Sequence, residues 1–145
     1  MEWVRGDAWE LFYAKGHDLV IPTNAGWTKD GRNVMGAGLA KQACEHLAHA
    51  VDLASLYGGL CRTGTDRVYL KPFGLILVPS KPLRRDKPWL SWKQRADAWT
   101  VKESLEWLAE HRDVFGACVG VPLLGAGNGK LDSTFVKGML EANLW

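Results

Sequence analysis

Three apolar, β-branched segments are the feature that most limits how this chain can fold. They read DLVIPT (residues 18–23), FGLILVP (73–79) and VFGACVGVPLL (114–124). Strands that are apolar on both faces must be covered on both sides, which is typical of a mostly parallel sheet between helices. Segments with helical periodicity alternate with them, at residues 38–57, 89–111 and 133–144. The pattern predicts an α/β fold with a central sheet and helices on both of its faces.

Shorter elements complete the predicted order. Residues 2–5 predict an edge strand, and residues 67–71 predict a strand just before FGLILVP. Gly58 and Gly59 are expected to end the helix at residues 38–57, because glycine often follows the last helical turn. Trp92 and Trp99 are expected on the buried face of the helix at residues 89–111. The chain has 145 residues and no linker or repeat, so residues 1–145 are expected to form a single domain.

The loops after the apolar strands are the predicted ligand site, because ligands bind beyond the carboxyl ends of parallel strands. These loops begin at Asn24, Ser80 and Gly125. The first continues into VMGAGLAKQ and the third reads GAGNGKLD, and each precedes a helix. Glycine lets backbone N–H groups approach a ligand, and a helix N-terminus adds partial positive charge, which together suit a diphosphate. Glycines that serve only turns and packing are the alternative for each loop.

Composition and charge set limits on the partners. The formal net charge is +2, which fits an anionic ligand without requiring one. Three cysteines without CxxC spacing favour reduced thiols, and the first residues contain no hydrophobic signal region. We therefore expect a cytoplasmic monomer with no metal, no cofactor and no membrane contact.

Four motifs, GDAW, VIPTN, VMGAGLAKQ and VPLLGAGNGKLD, occur in the order in which the macrodomain family has similar ones. The chain resembles this ADP-ribose-binding family over nearly its whole length. The resemblance is strongest to the branch with the DNA ADP-ribosyl glycohydrolase antitoxins and the terminal ADP-ribose protein glycohydrolase. It implies a three-layer α/β/α macrodomain with a mixed, mostly parallel central sheet, and an ADP-ribose site at the carboxyl edge of that sheet.

The resemblance assigns ligand contacts to particular residues of this chain. Asp7 matches an aspartate that accepts a hydrogen bond from the adenine amino group; alternatively, it caps a short helix. Asn24 matches an asparagine beside the distal ribose and is assigned a catalytic role; alternatively, it is a turn residue. The diphosphate and distal ribose are assigned to a first glycine loop (Val34, Met35, Gly36, Ala37 and Gly38) and a second glycine loop (Gly125, Ala126, Gly127, Asn128 and Gly129).

Lys81 is the principal catalytic residue that the resemblance implies. It follows Ser80 in the step VPSK, where this branch usually has threonine, and the matching lysine attacks the anomeric carbon of the distal ribose. A lysine can form a Schiff base with the ring-opened sugar once its pKa is lowered, and Arg84, Arg85 and Lys87 are expected to lower it. A solvated basic loop that contacts phosphate is the alternative.

The resemblance also implies a difference at Gly129. The terminal ADP-ribose protein glycohydrolase, which is the protein-directed enzyme of this branch, has an aspartate at the matching position that helps to release the sugar. The departure favours the DNA-directed pattern, which also has glycine. The basic stretch from Lys81 to Arg95 is either a solvated face or a surface that holds the phosphates of ADP-ribosylated nucleic acid. In the second case Trp89 and Trp92 would stack a base.

The predicted function is therefore hydrolysis of an ADP-ribosyl linkage to DNA or protein, in which Lys81 acts at the distal ribose. Two alternatives stay open. One is a non-catalytic reader that only recognises ADP-ribose, and the other is an α/β domain that binds another nucleotide or RNA.

Overall fold

Four strands form the central sheet in the part of the chain that this computed structural model describes, which is residues 1–144 without the side chain of Asn128. Strand β1 (Asp18–Asn24) pairs in parallel with β3 (Leu75–Lys81) and with β4 (Val119–Gly120), while β2 (Val68–Leu70) pairs antiparallel with β3. The strand order is β2-β3-β1-β4. The sheet is therefore mixed and mostly parallel, as predicted.

Five α-helices accompany the sheet in the described residues, together with short 3₁₀ segments. They are α1 (Ala8–Leu11), α2 (Gly38–Leu47), α3 (Leu53–Arg62), α4 (Ala98–Glu110) and α5 (Ser133–Asn143). Within residues 1–144, none of the helices combines the length and the apolar character that a membrane span requires.

Side chains of β1 and β3 alternate between two apolar layers, as they do in a central strand. Leu19 and Ile21 belong to the cluster with α2 and α3, whereas Val20 belongs to the cluster with α4 and α5. These three side chains are fully buried, and burying one of them contributes about 1.5–3 kcal/mol. The sheet therefore lies between two helical layers, which confirms the predicted three-layer α/β/α fold.

The single helix predicted at residues 38–57 is wrong, because the chain forms α2 and α3 there. The side chain of Asp52 accepts a hydrogen bond from the backbone N–H of Ser55 and so starts α3. Gly58 and Gly59 lie inside α3 rather than ending a helix. A Cβ atom at Gly58 would overlap the carbonyl oxygen of Gly31, so this glycine lets α3 pack closely against the loop after β1.

The long helix predicted at residues 89–111 is also divided. A 3₁₀ segment (Pro88–Lys93) comes first, and α4 starts only after Asp97, whose side chain caps it by accepting from the N–H of Trp99. Trp92 is 42% exposed and Trp99 is 65% exposed, so the prediction that they face the core is wrong. Trp92 lies in the 3₁₀ segment and Trp99 lies in α4. Their helical spacing in the sequence therefore does not place them on one helix face.

Two predicted strands differ from the structure. Residues 2–5 form no strand; instead the indole N–H of Trp3 donates to Glu141 on α5, at 3.1 Å. Only Val119–Gly120 of the predicted segment 114–124 pairs with the sheet. Pro122 follows soon after, and proline has no N–H for the next ladder bond.

Candidate ligand site

A cavity of about 630 Å³ opens at the carboxyl ends of β1 and β3, which is a usual volume for a small-molecule site. Both glycine loops and the end of β3 line it. The lining residues that the sequence predicted are Asn24, Val34, Met35, Gly36, Ala37, Gly38, Ser80, Lys81, Gly125, Ala126, Gly127 and Gly129. The fold therefore brings together, in one cavity, residues that come from three separate loops.

Asp7 is a predicted ligand residue that is not among those that line the cavity. Asp7 caps α1, since its carboxylate accepts from the backbone N–H groups of Trp9 at 2.8 Å and Glu10 at 3.3 Å. This is the capping role given above as its alternative, and a contact with adenine stays a prediction. Asn128 was predicted in the second glycine loop, and its side chain lies outside the described part of the structure.

Asn24 anchors the first glycine loop at the end of β1. Its side-chain amide donates to the carbonyl oxygen of Val34 at 2.8 Å, and its side-chain oxygen accepts from Gly26 N–H at 3.0 Å. Buried Asn33 adds bonds from its amide to the carbonyl oxygens of Asn24 (2.9 Å) and Gly26 (2.8 Å). Asn33 was not among the predicted site residues, because only the fold shows that this loop asparagine turns inward.

The start of α2 differs from the start of every other α-helix in the described residues. Ala37 occupies the N-cap position of α2, and no side chain caps it. The other four helices each begin after an aspartate whose side chain accepts a backbone N–H, namely Asp7, Asp52, Asp97 and Asp132. The first N–H groups of a helix have no partner within the helix. In α2 they belong to Gly38, Leu39 and Ala40, and all three residues line the cavity.

The space around the glycines differs between the two loops. A Cβ atom at Gly36 would meet no protein atom within 4 Å, and the residue is exposed at the cavity. A Cβ atom at Gly125 would lie 2.9 Å from the Cβ of Ala96, and one at Gly129 would lie 2.6 Å from it. Packing therefore requires the glycines at 125 and 129, whereas it does not require Gly36.

Lys81 lies beside Asn24, because the parallel register of β1 and β3 pairs these two residues after a local irregularity between Thr23 and Asn24. Its Nζ donates to the carbonyl oxygen of Trp92 at 3.0 Å. Partial burial lowers the pKa of Lys81, and the positive charge of Lys130 lowers it further.

The direction of this pKa shift agrees with the prediction, but its cause does not. The neighbouring cations Arg84, Arg85 and Lys87 were predicted to cause the shift. Arg84 instead forms an ion pair with Asp86, with its Nε 3.2 Å from the carboxylate. Burial and Lys130, which is distant in the sequence, act on the Lys81 amine in their place.

Ser80 connects β3 to the segment before α4 and exposes little of its own surface to the cavity. It is buried, and its carbonyl oxygen accepts from the N–H of Asp97 at 3.2 Å. This bond joins the end of β3 to the segment that leads into α4.

The structure adds a set of apolar residues to the predicted lining. Leu39 belongs to the first turn of α2, and Pro122 and Leu123 precede the second glycine loop. Such surfaces suit the flat face of a base or a sugar. The position of Leu39 directly after a glycine loop was a usable sequence signal, whereas the inward position of Pro122 and Leu123 depends on the fold.

Metal-binding geometry does not occur in the described part of the chain, where no three His, Cys, Asp or Glu side chains lie close enough to hold an ion. Among the described side chains, the residues at the cavity offer the Lys81 amine, the Asn24 amide and the hydroxyls of Thr23 and Ser80, besides backbone N–H groups. These groups suit an anionic, hydroxyl-bearing ligand.

Comparisons with known proteins agree with this architecture. No protein-family model and no curated protein matches the sequence. Among solved structures, the macrodomain of Mycobacterium tuberculosis DarG has a TM-score of 0.70 at 24% identity, over 97% of this chain and 87% of that chain. The macrodomain of Thermus aquaticus DarG has a TM-score of 0.64 at 25% identity, over 88% and 81%.

A third similar structure is Thermosipho africanus DarTG in complex with ADP-ribose. Its TM-score is 0.63 at 20% identity, over 88% of this chain and 34% of that chain. This chain thus spans about a third of that protein. The described fold, its sheet order and these similarities lead to one conclusion: the chain has the macrodomain fold and resembles the macrodomains of DarG.

Proposed function

We propose that this chain binds ADP-ribose in the cavity, with the diphosphate between the two glycine loops. The observation that carries this proposal is the uncapped N-terminus of α2, whose first three residues line the cavity. Unpaired N–H groups and the helix dipole favour an anion at this point. The similarity to Thermosipho africanus DarTG, which was solved in complex with ADP-ribose, supports the choice of ligand.

We further propose that the chain hydrolyses an ADP-ribosyl linkage. The neutral Lys81 amine attacks C1 of the distal ribose, the bond from C1 to the acceptor breaks, and the acceptor leaves with a proton. The adduct then opens to an imine, and water hydrolyses the imine to release ADP-ribose and the free amine. The position of Lys81 in the cavity and its lowered pKa support this step.

Asn24 has a supporting place in this reaction. One N–H of its amide is engaged by the carbonyl oxygen of Val34, and its oxygen is engaged by Gly26. The second amide N–H is left to donate to a ribose hydroxyl beside Lys81. Asn24 would thus hold both the first glycine loop and the sugar.

DNA is the acceptor that we favour over protein. Gly129 lies where the protein-directed enzyme has an aspartate, and a Cβ atom there would approach Ala96 to 2.6 Å, so the loop has no room for that side chain. Trp92 lines the cavity and is 42% exposed, and the Lys93 ammonium lies 5.2 Å from the centre of its ring. A base stacked on Trp92 and a phosphate beside Lys93 would fit this arrangement.

Two other functions use the same surface. A non-catalytic reader would bind ADP-ribose through the same loops without turnover. A domain for another nucleotide or RNA would bind plain oligonucleotides with a steep salt dependence and would bind free ADP-ribose weakly.

Calorimetric titration with ADP-ribose, with AMP as the control, tests the binding proposal. We expect ADP-ribose to bind well above AMP, because only the former has a diphosphate between two sugars. If ADP-ribose does not bind, or binds no more tightly than AMP, the proposed site is refuted. Assays on ADP-ribosylated DNA and on ADP-ribosylated protein then separate the enzyme from the reader, with Lys81→Ala and the charge-preserving Lys81→Arg as matched variants.

A further inference from the structure

Asn33 is a buried asparagine of the loop after β1, and it is not among the residues that line the cavity. It is only 3% exposed. Its backbone N–H donates to the carbonyl oxygen of Ala54 on α3 at 2.9 Å. Asparagine is mostly exposed in proteins, and a buried one normally has hydrogen-bond partners for its amide. A helix thus holds the backbone of Asn33, and the partners of its amide indicate what the side chain does.

The Nδ2 atom of Asn33 meets three oxygen atoms just beyond the end of β1. It donates to the backbone carbonyl oxygens of Asn24 at 2.9 Å and Gly26 at 2.8 Å, and to the side-chain oxygen of Asn24 at 3.2 Å. Its own Oδ1 has no hydrogen-bond partner within the described residues. If the amide were turned over, this oxygen would face three other oxygens. Only one orientation of the Asn33 amide therefore fits its surroundings.

The orientation of Asn33 in turn determines that of Asn24. The side-chain oxygen of Asn24 accepts from Asn33 Nδ2 and from Gly26 N–H at 3.0 Å, while its Nδ2 donates to the carbonyl oxygen of Val34 at 2.8 Å. A reversed Asn24 amide would turn its NH₂ group toward two N–H donors and its oxygen toward a carbonyl oxygen. Asn24 lines the cavity and is paired with Lys81 in the register of the sheet. The group that Asn24 can offer to a ligand there is therefore its second amide N–H.

We propose that Asn33 is a positioning residue that, through Asn24, makes the cavity a hydrogen-bond donor beside Lys81 and so selects ligands with a hydroxyl oxygen at that point. An asparagine amide can present either a donor or an acceptor, and Asn33 removes this choice before a ligand arrives. A donor that is already oriented costs no reorganisation on binding. The preference for a ribose hydroxyl rests on the proposed function, whereas the control of Asn24 by Asn33 does not.

Calorimetric titration with ADP-ribose and with ADP separates this role from a purely structural one, because ADP has the diphosphate but lacks the distal ribose. In Asn33→Ala we expect the Kd for ADP-ribose to rise about threefold and the Kd for ADP to stay within about twofold, since one donor to the Asn24 oxygen is lost and Gly26 N–H remains. In Asn33→Asp an oxygen faces Asn24 in place of the donor, and the preference for ADP-ribose over ADP should fall about tenfold or more.

The order of the two variants is itself informative. Aspartate has nearly the shape of asparagine, whereas alanine leaves a void, so a role in packing alone would make Asn33→Ala the more damaging change to ligand preference. Hydrogen-bond polarity predicts the reverse order. A buried carboxylate also costs stability, so Asn33→Ala carries the test alone if Asn33→Asp does not fold.

Two further variants make the result specific. Thr28→Ala removes the hydrogen bond that Thr28 Oγ1 accepts from Arg32 N–H at 3.2 Å in the same loop, and it should leave the ratio of the two Kd values unchanged. In an Asn24→Ala background, Asn33→Ala should change this ratio no further, because Asn33 acts through Asn24. An equal loss for both ligands in Asn33→Ala, or a full effect in the Asn24→Ala background, would overturn the proposal.

Solvent exchange of side-chain amide protons, measured by NMR, tests the control of Asn24 without any ligand. In Asn33→Ala we expect exchange of the Asn24 amide to become about tenfold faster, because its oxygen loses one of two donors and the amide opens more often. The amide of Asn143, which donates to the carbonyl oxygen of Met139 at 2.8 Å on α5, is the internal reference and should not change. An equal acceleration at both residues would overturn the proposal, since it would report general destabilisation.

The two measurements distinguish a failure of this inference from a failure of the proposed function. If the unmodified chain does not bind ADP-ribose but Asn24 exchange still depends on Asn33, the proposed function fails and the positioning of Asn24 stands. If ADP-ribose binds but neither the ligand preference nor Asn24 exchange responds to Asn33, this inference fails alone.

Discussion

Ala37→Asp tests the central reasoning about α2, because it should change stability and binding in opposite directions. Ala37 is exposed, with φ −152° and ψ 161°, an extended conformation that suits an N-cap. An aspartate there would accept the free N–H groups and stabilise the fold by about 0.5–2 kcal/mol. For a chain of this size, each kcal/mol raises Tm by about 2–4 °C. The same carboxylate would repel the diphosphate and would accept the N–H groups of α2 that bind it. We expect this to cost about 2 kcal/mol or more of binding free energy, which is a ~30-fold weaker Kd for ADP-ribose.

Thermal unfolding and calorimetric titration with ADP-ribose measure the two effects. Ala37→Asn is the matched control, since it caps the helix without a charge and should show the same gain in stability with a smaller loss of affinity. A variant that is more stable and binds ADP-ribose normally would refute the placement of the diphosphate at α2. If Ala37→Asp gains no stability, the N–H groups of α2 are not available, and the reasoning fails at its first step.

Three other predictions address the amine, its titration and the packing of the loop after β1. Lys81→Ala should leave the Kd for ADP-ribose within about threefold and lower turnover at least ~100-fold; an equal loss of binding would instead make Lys81 a phosphate contact. Because burial and Lys130 lower the pKa of Lys81, turnover should rise with pH as the amine loses its proton and should level off below the ordinary pKa of lysine. A rate that falls over that range would contradict the role of a neutral amine. Gly58→Ala should destabilise the fold by about 3 kcal/mol in urea unfolding, since its Cβ would overlap the carbonyl oxygen of Gly31. Gly59→Ala, which meets no atom within 4 Å, should be neutral or stabilise α3 by up to about 1 kcal/mol; similar losses in both would disprove the packing argument.

The sheet and the position of the cavity could be predicted from the sequence because they depend on simple patterns. Continuous apolar runs identify β1 and β3 as central strands, and parallel pairing then brings their carboxyl ends to one edge. That edge determines which loops meet, whatever the details of each loop. The lining of the cavity by Lys81 and by both glycine loops follows from this topology.

Helix boundaries were less predictable because single polar residues decide them. Asp52 and Asp97 each start a helix by accepting a backbone N–H, and an aspartate within a helical pattern does not reveal whether it will do so. The wrong prediction that Trp92 and Trp99 are buried has the same origin, since it assigned both residues to one helix face across the break before α4. The charge of Lys130 lowers the pKa of Lys81 from 49 positions along the chain, and no local sequence pattern contains a relation over that separation.

The two glycine loops look alike in sequence, yet their glycines have different surroundings in the structure. Gly125 and Gly129 have no room for a Cβ atom beside Ala96, so they allow the second loop to pack against the segment before α4. Two hydrogen bonds join the same elements, since Ala96 N donates to the carbonyl oxygen of Gly129 and Arg95 Nη2 donates to that of Lys130. Gly36 has room for a side chain and no protein neighbour that excludes one, so a requirement for glycine there would have to come from a ligand. Composition alone therefore could not separate Gly125 and Gly129, which packing requires, from Gly36, whose backbone is open to a ligand in the cavity.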